Sequence, residues 1–248
     1  MSIDYSVIIP AYNEEAYLPT TLSAVRQAME DVTLTGEIIV VDNNSTDETA
    51  RVARDFGAQV TFEPVNQISR ARNNGARKAR GRYLIFLDAD TTLSAELLQA
   101  ALAALAEGAC CGGGAVVMPD EPPPPAARRV MEFWNRLSVK LGLAAGCFIY
   151  CLREGFEYTG GFSERVYASE EIWFSRKLRS WGQARGLTFR IIDNPPIKTS
   201  LRKIHWFSQP GLILRSVPVL VFPPAVFFRR LCSPWYRRPA GGSKISTS

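Results

Sequence analysis

Tyr83-Leu84-Ile85-Phe86-Leu87-Asp88-Ala89-Asp90 begins with five apolar residues and ends in an Asp-x-Asp. A run so short and so rich in aromatic and branched residues suits a strand buried on both faces and is too short for a core helix. Residues 6–10 (Ser-Val-Ile-Ile-Pro) and 37–41 (Glu-Ile-Ile-Val-Val) read the same way, and each also runs straight into polar residues: Ala11-Tyr12-Asn13-Glu14 after the first, Asp42-Asn43-Asn44-Ser45 after the second. Open parallel sheets bind ligands beyond the carboxyl ends of their strands, so these three tails are expected to meet in one crevice.

Helical patterns alternate with the strands. Leu18, Leu22, Val25 and Met29 line one face of a first helix, and Leu97, Leu98, Ala101, Leu102 and Leu105 line a later one. Ser45-Thr46-Asp47-Glu48 has the form of a capping box opening a second helix, and Ser94 has the form of an N-cap. The order β-α-β-α implies an α/β fold with a mostly parallel sheet covered on both faces. Gln59-Val60-Thr61-Phe62 alternates as a further short strand, and Gly112-Gly113-Gly114 reads as a flexible turn before a strand. Residues 122–125 are four prolines, a stiff exposed loop; the helix after them carries Val130, Phe133, Trp134, Leu137 and Leu141 on one face. Residues 147–152 form another strand candidate, Gly160-Gly161 a turn, and residues 169–181 a helix with Ser169 at its N-cap.

An Asp-x-Asp after an apolar strand suits Mg²⁺ or Mn²⁺ held by one or two carboxylates, with phosphate oxygens completing the shell. A Gly-rich dinucleotide fingerprint is missing after the first strand and GxxxxGK[ST] occurs nowhere, which speaks against dinucleotide and P-loop chemistry.

Composition bounds the rest. With 46% hydrophobic and 21% charged residues in 248, the chain is an ordinary globular protein with room for one sizeable domain and an appendage. Nine of its 29 Lys and Arg lie from Asn194 onward, where there is no Asp or Glu; the remainder has 20 basic against 24 acidic residues. The pI near 9.0 therefore belongs to a basic tail on a mildly acidic body. Residues 211–228 are largely apolar yet interrupted by Arg215 and three prolines. Two readings of this tail stand: a segment lying on an anionic membrane surface, or an extension packed on the domain. Five cysteines with no CxxC pair and no recognisable export signal point to a reduced, cytoplasmic protein, with the cytoplasmic membrane face as the place of any attachment.

Taken together, Ser6-Val-Ile-Ile-Pro-Ala-Tyr-Asn-Glu-Glu, Glu37-Ile-Ile-Val-Val-Asp-Asn-Asn-Ser-Thr-Asp, Ala71-Arg-Asn-Asn-Gly-Ala and Leu87-Asp-Ala-Asp resemble the successive motifs of family 2 glycosyltransferases, in order and at usual spacing, over roughly residues 5 to 181. The resemblance implies a GT-A fold over residues 1–205, with 206–248 as a basic extension. It also implies a nucleotide-diphosphate-sugar donor, a divalent metal and inverting transfer to an acceptor hydroxyl. Carried over by position, Pro10, Tyr12, Glu14, Asp42, Arg70, Arg72, Asn74 and Asp88 would contact the donor and Asp90 would hold the metal. His205, the sole histidine, would be a second metal ligand, although the basic run 199–203 before it suits a clamp on the departing diphosphate equally well. The family's Gly-Gly-Phe followed by Glu-Asp is here Gly160-Gly161-Phe162 followed by Glu170-Glu171, which puts Glu171 where the family's catalytic Asp stands. A lipid and a glycan both remain open as acceptor, and no nucleic-acid partner is expected. The rival readings are a sugar-phosphate nucleotidyltransferase, which would want a Gly-rich basic loop where this chain has Pro-Ala-Tyr-Asn-Glu, and a binding protein of the same fold without turnover.

Overall fold

The computed structural model describes residues 2–202, 226–232 and 236. In chain order the elements are β1 (Tyr5–Ala11), α1 (Leu18–Glu30), β2 (Gly36–Asp42), α2 (Thr49–Asp55), β3 (Gln59–Phe62), α3 (Ile68–Lys78), β4 (Tyr83–Leu87), β5 (Thr91–Thr92), α4 (Ala95–Ala106), β6 (Cys110–Pro119), α5 (Pro125–Leu141), β7 (Phe148–Leu152), α6 (Arg153–Thr159), α7 (Glu170–Gln183) and β8 (Thr188–Thr199). The strands make one sheet in the order β3-β2-β1-β4-β7-β6-β8-β5. Four of its seven neighbour pairs are parallel, and β7 runs against both β4 and β6.

Period-two alternation explains why both faces are covered. Val7, Ile9, Val40, Ile85 and Leu87 point into a core shared with Leu18, Leu22 and Val25 of α1 and Leu97, Leu98 and Ala101 of α4. Their neighbours Ile8, Ile39, Val41, Leu84 and Phe86 point the other way, onto Ala71 and Ala76 of α3 and Phe174, Leu178 and Trp181 of α7. Because β1, β2 and β4 are mutually in parallel register, the tails that follow them emerge side by side. No helix among the described residues is long and apolar enough to cross a membrane.

Several local expectations are corrected. Ser94 caps α4 by accepting from the Leu97 amide at 3.3 Å, as its position suggests. The 45–48 box does not form. α2 begins only at Thr49, and Ser45 Oγ instead accepts from the Asn13 amide at 3.0 Å while Asp47 Oδ1 accepts from the Thr49 amide at 3.0 Å. These side chains are spent on tying the loop after β2 to the loop after β1, which competes with capping for the same donors and acceptors. Ser169 does precede α7, but with a left-handed φ of 61° and no side-chain cap. Pro125 is the first residue of α5 rather than part of the loop, a place where its missing N–H goes unneeded.

Gly112-Gly113-Gly114 is strand, not a turn: the three lie inside β6 between β7 and β8. A Cβ on Gly113 would come within 1.7 Å of the Arg190 carbonyl oxygen, and one on Gly114 within 2.7 Å of Ala144 Cβ. The residues are glycine because backbone passes where side chains would stand. Gly113→Ala is therefore expected to lower stability by about 2 kcal/mol or more, read as a shift in the urea midpoint at unchanged slope.

Candidate active site

Pro10 near the end of β1, Tyr12 and Glu14 after it, Asn43 after β2, Asn66 and Ile68 around the start of α3, and Asp88 and Asp90 after β4 converge on one cleft, which Arg202 and Tyr236 also line. Its free volume is about 50 Å³. That holds a water or two, against the roughly 300 Å³ or more that small-molecule sites offer.

Arg202 fills the cleft as a counter-ion. Its Nη1 and Nη2 donate to the two Glu14 carboxylate oxygens, the second at 2.6 Å, its Nε stands 2.8 Å from Asp90 Oδ2, and its guanidinium lies 4.4 Å from the Tyr17 ring centroid. Glu14 is 3% and Asp90 7% exposed at the side chain, so one cation offsets two carboxylates that water hardly reaches.

Beneath the cleft a second arginine does the same. Arg72, 2% exposed, donates through Nη1 to Glu170 Oε1 at 2.8 Å and through Nη2 to Asp88 Oδ1 at 3.0 Å and the Gly146 carbonyl at 2.7 Å. The Phe162 ring lies under its guanidinium at 5.1 Å. Glu171, half-buried beside Glu170, has its carboxyl pushed up to about 8 by burial first and by the charge of Glu170 second, with Arg72 pulling the other way. Gly146 lies against it: a Cβ there would make ordinary contacts, 3.6 Å from the Glu171 carboxyl carbon and 3.4 Å from Arg72 Nη2. Since the folded carboxyl binds its proton more tightly than an unfolded one, Glu171 favours the folded state at acid pH, and that contribution is lost as pH rises from the ordinary carboxylate range toward 8.

The residues singled out by sequence thus fall into three groups. Pro10, Tyr12, Glu14, Asp88 and Asp90 line the cleft together. Arg72 and Asp42 support it from below or behind: Asp42 Oδ1 accepts from the Ser45 amide at 2.9 Å, and its neighbour Asn43 does the lining. Arg70 and Asn74 stand away from the lining. Arg70 pairs with Glu63 at 3.2 Å and Glu164 at 2.9 Å, and Asn74 donates to the Phe62 carbonyl at 3.0 Å and Glu63 at 3.3 Å. His205 lies outside the described residues. Asn66, Ile68 and Tyr236 line the cleft without a sequence signal for it, Asn43 reaches it as a member of the tail after β2, and Arg202 was legible only as one member of a basic run. The described part of the extension packs at the cleft's edge, where Val226 and Cys232 join Val166 and Ala168 and Tyr167 donates its amide to the Val226 carbonyl at 2.6 Å.

Among the described residues no three His, Cys, Asp or Glu side chains converge as a closed metal cage. Asp88 and Asp90 each have one carboxylate oxygen in an arginine pair. Two hard oxygen donors at the end of β4 fit a divalent cation that takes its remaining ligands from phosphate and water, and do not fit a softer metal.

A family model described as Glycosyl transferase family 2 matches residues 6–157, more than half of the chain. Over 104 residues the chain is 38% identical to a Mycobacterium tuberculosis protein (strain H37Rv) named an uncharacterised glycosyltransferase, a match taking in 42% of this chain and 44% of the relative. It is 36% identical over 110 residues to validoxylamine A glucosyltransferase of Streptomyces hygroscopicus subsp. jinggangensis, covering 41% of this chain and 25% of that one. The matched part of the chain thus spans less than half the length of these relatives. Among solved structures, mannosyltransferase PcManGT from Pyrobaculum calidifontis, in complex with GDP-Man and Mn²⁺, aligns with a TM-score of 0.65 at 20% identity over 95% of this chain and 68% of that one. Residues 1-349 of S. aureus TarS, in complex with UDP-GlcNAc, align with a TM-score of 0.59 at 19% identity over 80% of this chain and 58% of theirs. At these identities the structural likeness is one of fold.

Arg72→Met keeps the length of the side chain and removes its charge, leaving Glu170 and Asp88 crowded and uncompensated. The expected cost is about 3–5 kcal/mol, read in denaturant unfolding at neutral pH.

Proposed function

Because the chain belongs to glycosyl transferase family 2 and carries an α/β sheet of GT-A type, we propose that it transfers a sugar from a nucleotide-diphosphate sugar to an acceptor hydroxyl with inversion, Glu171 acting as general base. The single observation that carries this reading is the Glu171 carboxyl. It stands by Gly146 and Arg72, off the lining of the cleft and outside the arginine pairs that hold Glu14, Asp88, Asp90 and Glu170, with its proton affinity raised toward the neutral range where a base works best.

Tyr12, Asn43 and Asn66 surround the part of the cleft suited to the nucleoside, and Asp88 the part suited to ribose and sugar. Asp90, with Asp88, would hold a divalent cation, which when bound offsets charge on the diphosphate as it leaves. The ligands bound in the solved neighbours, GDP-Man with Mn²⁺ and UDP-GlcNAc, support a donor of this class. Arg202 gives up Glu14 and Asp90 as the donor enters and turns its guanidinium to the diphosphate, where it stabilises the leaving group. The acceptor oxygen loses its proton to Glu171 as it bonds to the anomeric carbon, and the bond from that carbon to the diphosphate oxygen breaks. One displacement inverts the centre, and no covalent sugar–enzyme species is needed.

Glu171→Gln is expected to lower the transfer rate by about 10²–10⁴-fold with the donor dissociation constant within a few-fold of the parent. In the parent, kcat/KM should climb with pH and level off above about 8. Glu170→Gln should move that climb to lower pH, because the like charge that holds the Glu171 proton is gone. Full activity in Glu171→Gln removes it from the mechanism.

Asp90→Asn is expected to weaken Mn²⁺-dependent binding of the nucleoside diphosphate about tenfold or more, followed as the loss of the thermal shift that the diphosphate produces with the metal. An unchanged metal dependence takes Asp90 out of the site.

A further inference from the structure

The stripe of α5 that its sequence marks as a packing face is only partly covered, with Trp134 and Leu137 half-buried and its other three members exposed. Val130, Phe133, Trp134, Leu137 and Leu141 span about 100° of helix arc at 3.6 residues per turn. Yet Val130 is 68% exposed, Phe133 67% and Leu141 43%. The helix docks on the sheet through a polar side as well: Asn135 exchanges bonds with the Val117 amide (3.1 Å) and carbonyl (2.8 Å), and Ser138, buried, donates to the Leu143 carbonyl at 2.6 Å.

A basic row borders the stripe. Arg129, Arg136 and Lys140 are all exposed and fall on one arc about 80–120° from its centre, the edge next to Phe133. The helix has one acid, Glu132, which adjoins the row on its far side from the stripe and is held in a bond from Arg128 at 2.9 Å. Exposed apolar side chains flanked by cations are what a helix needs to lie in the boundary between lipid headgroups and acyl chains, with Arg and Lys reaching up to the phosphates. A protein partner would more often be met by a stripe with mixed charge at its rim.

The position agrees. β7 is antiparallel to both β4 and β6, and Phe148 at its start pairs with Leu87 at the end of β4. The connections into and out of α5 therefore both lie at the end of the sheet where Asp88 and Asp90 emerge. A second exposed group, Phe227, Phe228 and Leu231 with Arg230 between them in sequence, is anchored beside the same cleft through Val226 and Cys232.

We infer that α5 is a membrane-docking surface, its Val130–Phe133–Leu141 stripe seated in an anionic bilayer and its Arg129, Arg136 and Lys140 row on the lipid phosphates, so that the cleft opens toward the membrane. The test is co-sedimentation of the full chain with vesicles of phosphatidylcholine alone and of phosphatidylcholine mixed with phosphatidylglycerol. The expected result is pelleting with the anionic vesicles only, weakening as salt rises. Val130→Asp/Phe133→Asp and, separately, Arg129→Gln/Arg136→Gln should each lower the partition coefficient at least about tenfold at unchanged melting temperature. Three results overturn the inference: no pelleting of the parent, binding unchanged in both double variants (the basic tail then carries it), or a concentration-dependent dimer that Val130→Asp/Phe133→Asp abolishes (a second copy then covers the stripe). Pelleting requires no turnover, so its failure leaves the proposed chemistry standing, and Glu171→Gln should pellet like the parent.

Discussion

Asp88 follows the central strand and Glu170 starts the last core helix, and the fold brings the two carboxylates together, Asp88 at the floor of the cleft and Glu170 buried beneath it. Only a cation placed between them makes that arrangement stable, and Arg72 is that cation, 2% exposed and bonded to both as well as to the Gly146 carbonyl. Three stretches, the ends of β4 and of the α5–β7 connection, which meet through the β4–β7 ladder, and the start of α7, which lies outside the sheet, are fixed to one planar guanidinium. Its fork geometry sets their relative positions more tightly than a lysine would. The unusual proton affinity of Glu171 follows from this. It stands next to a carboxylate that already has the arginine's nearer nitrogen, so it feels the burial and the repulsion with only part of the compensation.

The same helix that delivers Arg72 also fastens the segment before α7. Gln67 donates to the carbonyls of Glu164 and Val166 at 2.8 and 2.9 Å, and Asn73 exchanges bonds with Phe162, giving to its carbonyl at 2.8 Å and taking from its amide at 2.9 Å. The Arg- and Asn-rich run that reads from sequence as ligand-contacting is thus largely internal scaffolding. Polar side chains on a helix satisfy buried backbone as readily as they meet a ligand, and residue type alone does not separate the two uses.

What sequence conveyed well was whatever depends on local periodicity. Gln59–Phe62 was legible to the residue as β3, and the tails of β1 and β4 were legible as cleft residues, because apolar alternation and strand direction are local properties. What it misjudged depends on contacts far along the chain. The Gly112–Gly114 run is straightened by backbone of β7 and β8, whose partner residues Ile149–Cys151 and Phe189–Ile191 come far later in the chain. The Ser45–Glu48 box is drawn off by Asn13 and Glu15 of another loop. The apolar stripe of α5 obeys helical periodicity and is still only partly covered, since amphipathicity marks a face to be covered without saying by what. Tyr236 reaches the cleft from beyond the sheet, and no short-range pattern announces it.

Arg202 stands three residues past the last sheet residue, Thr199, and binds Glu14, 188 positions earlier in the chain. Measured by strands and helices, the domain is complete before it. Measured by charge, it is not: cut back to Thr199, the protein would hold Glu14 and Asp90 in the cleft without the Arg202 guanidinium. Such a truncation keeps every strand of the sheet and still unbalances the interior, so electroneutrality and secondary structure place the edge of this domain at different residues.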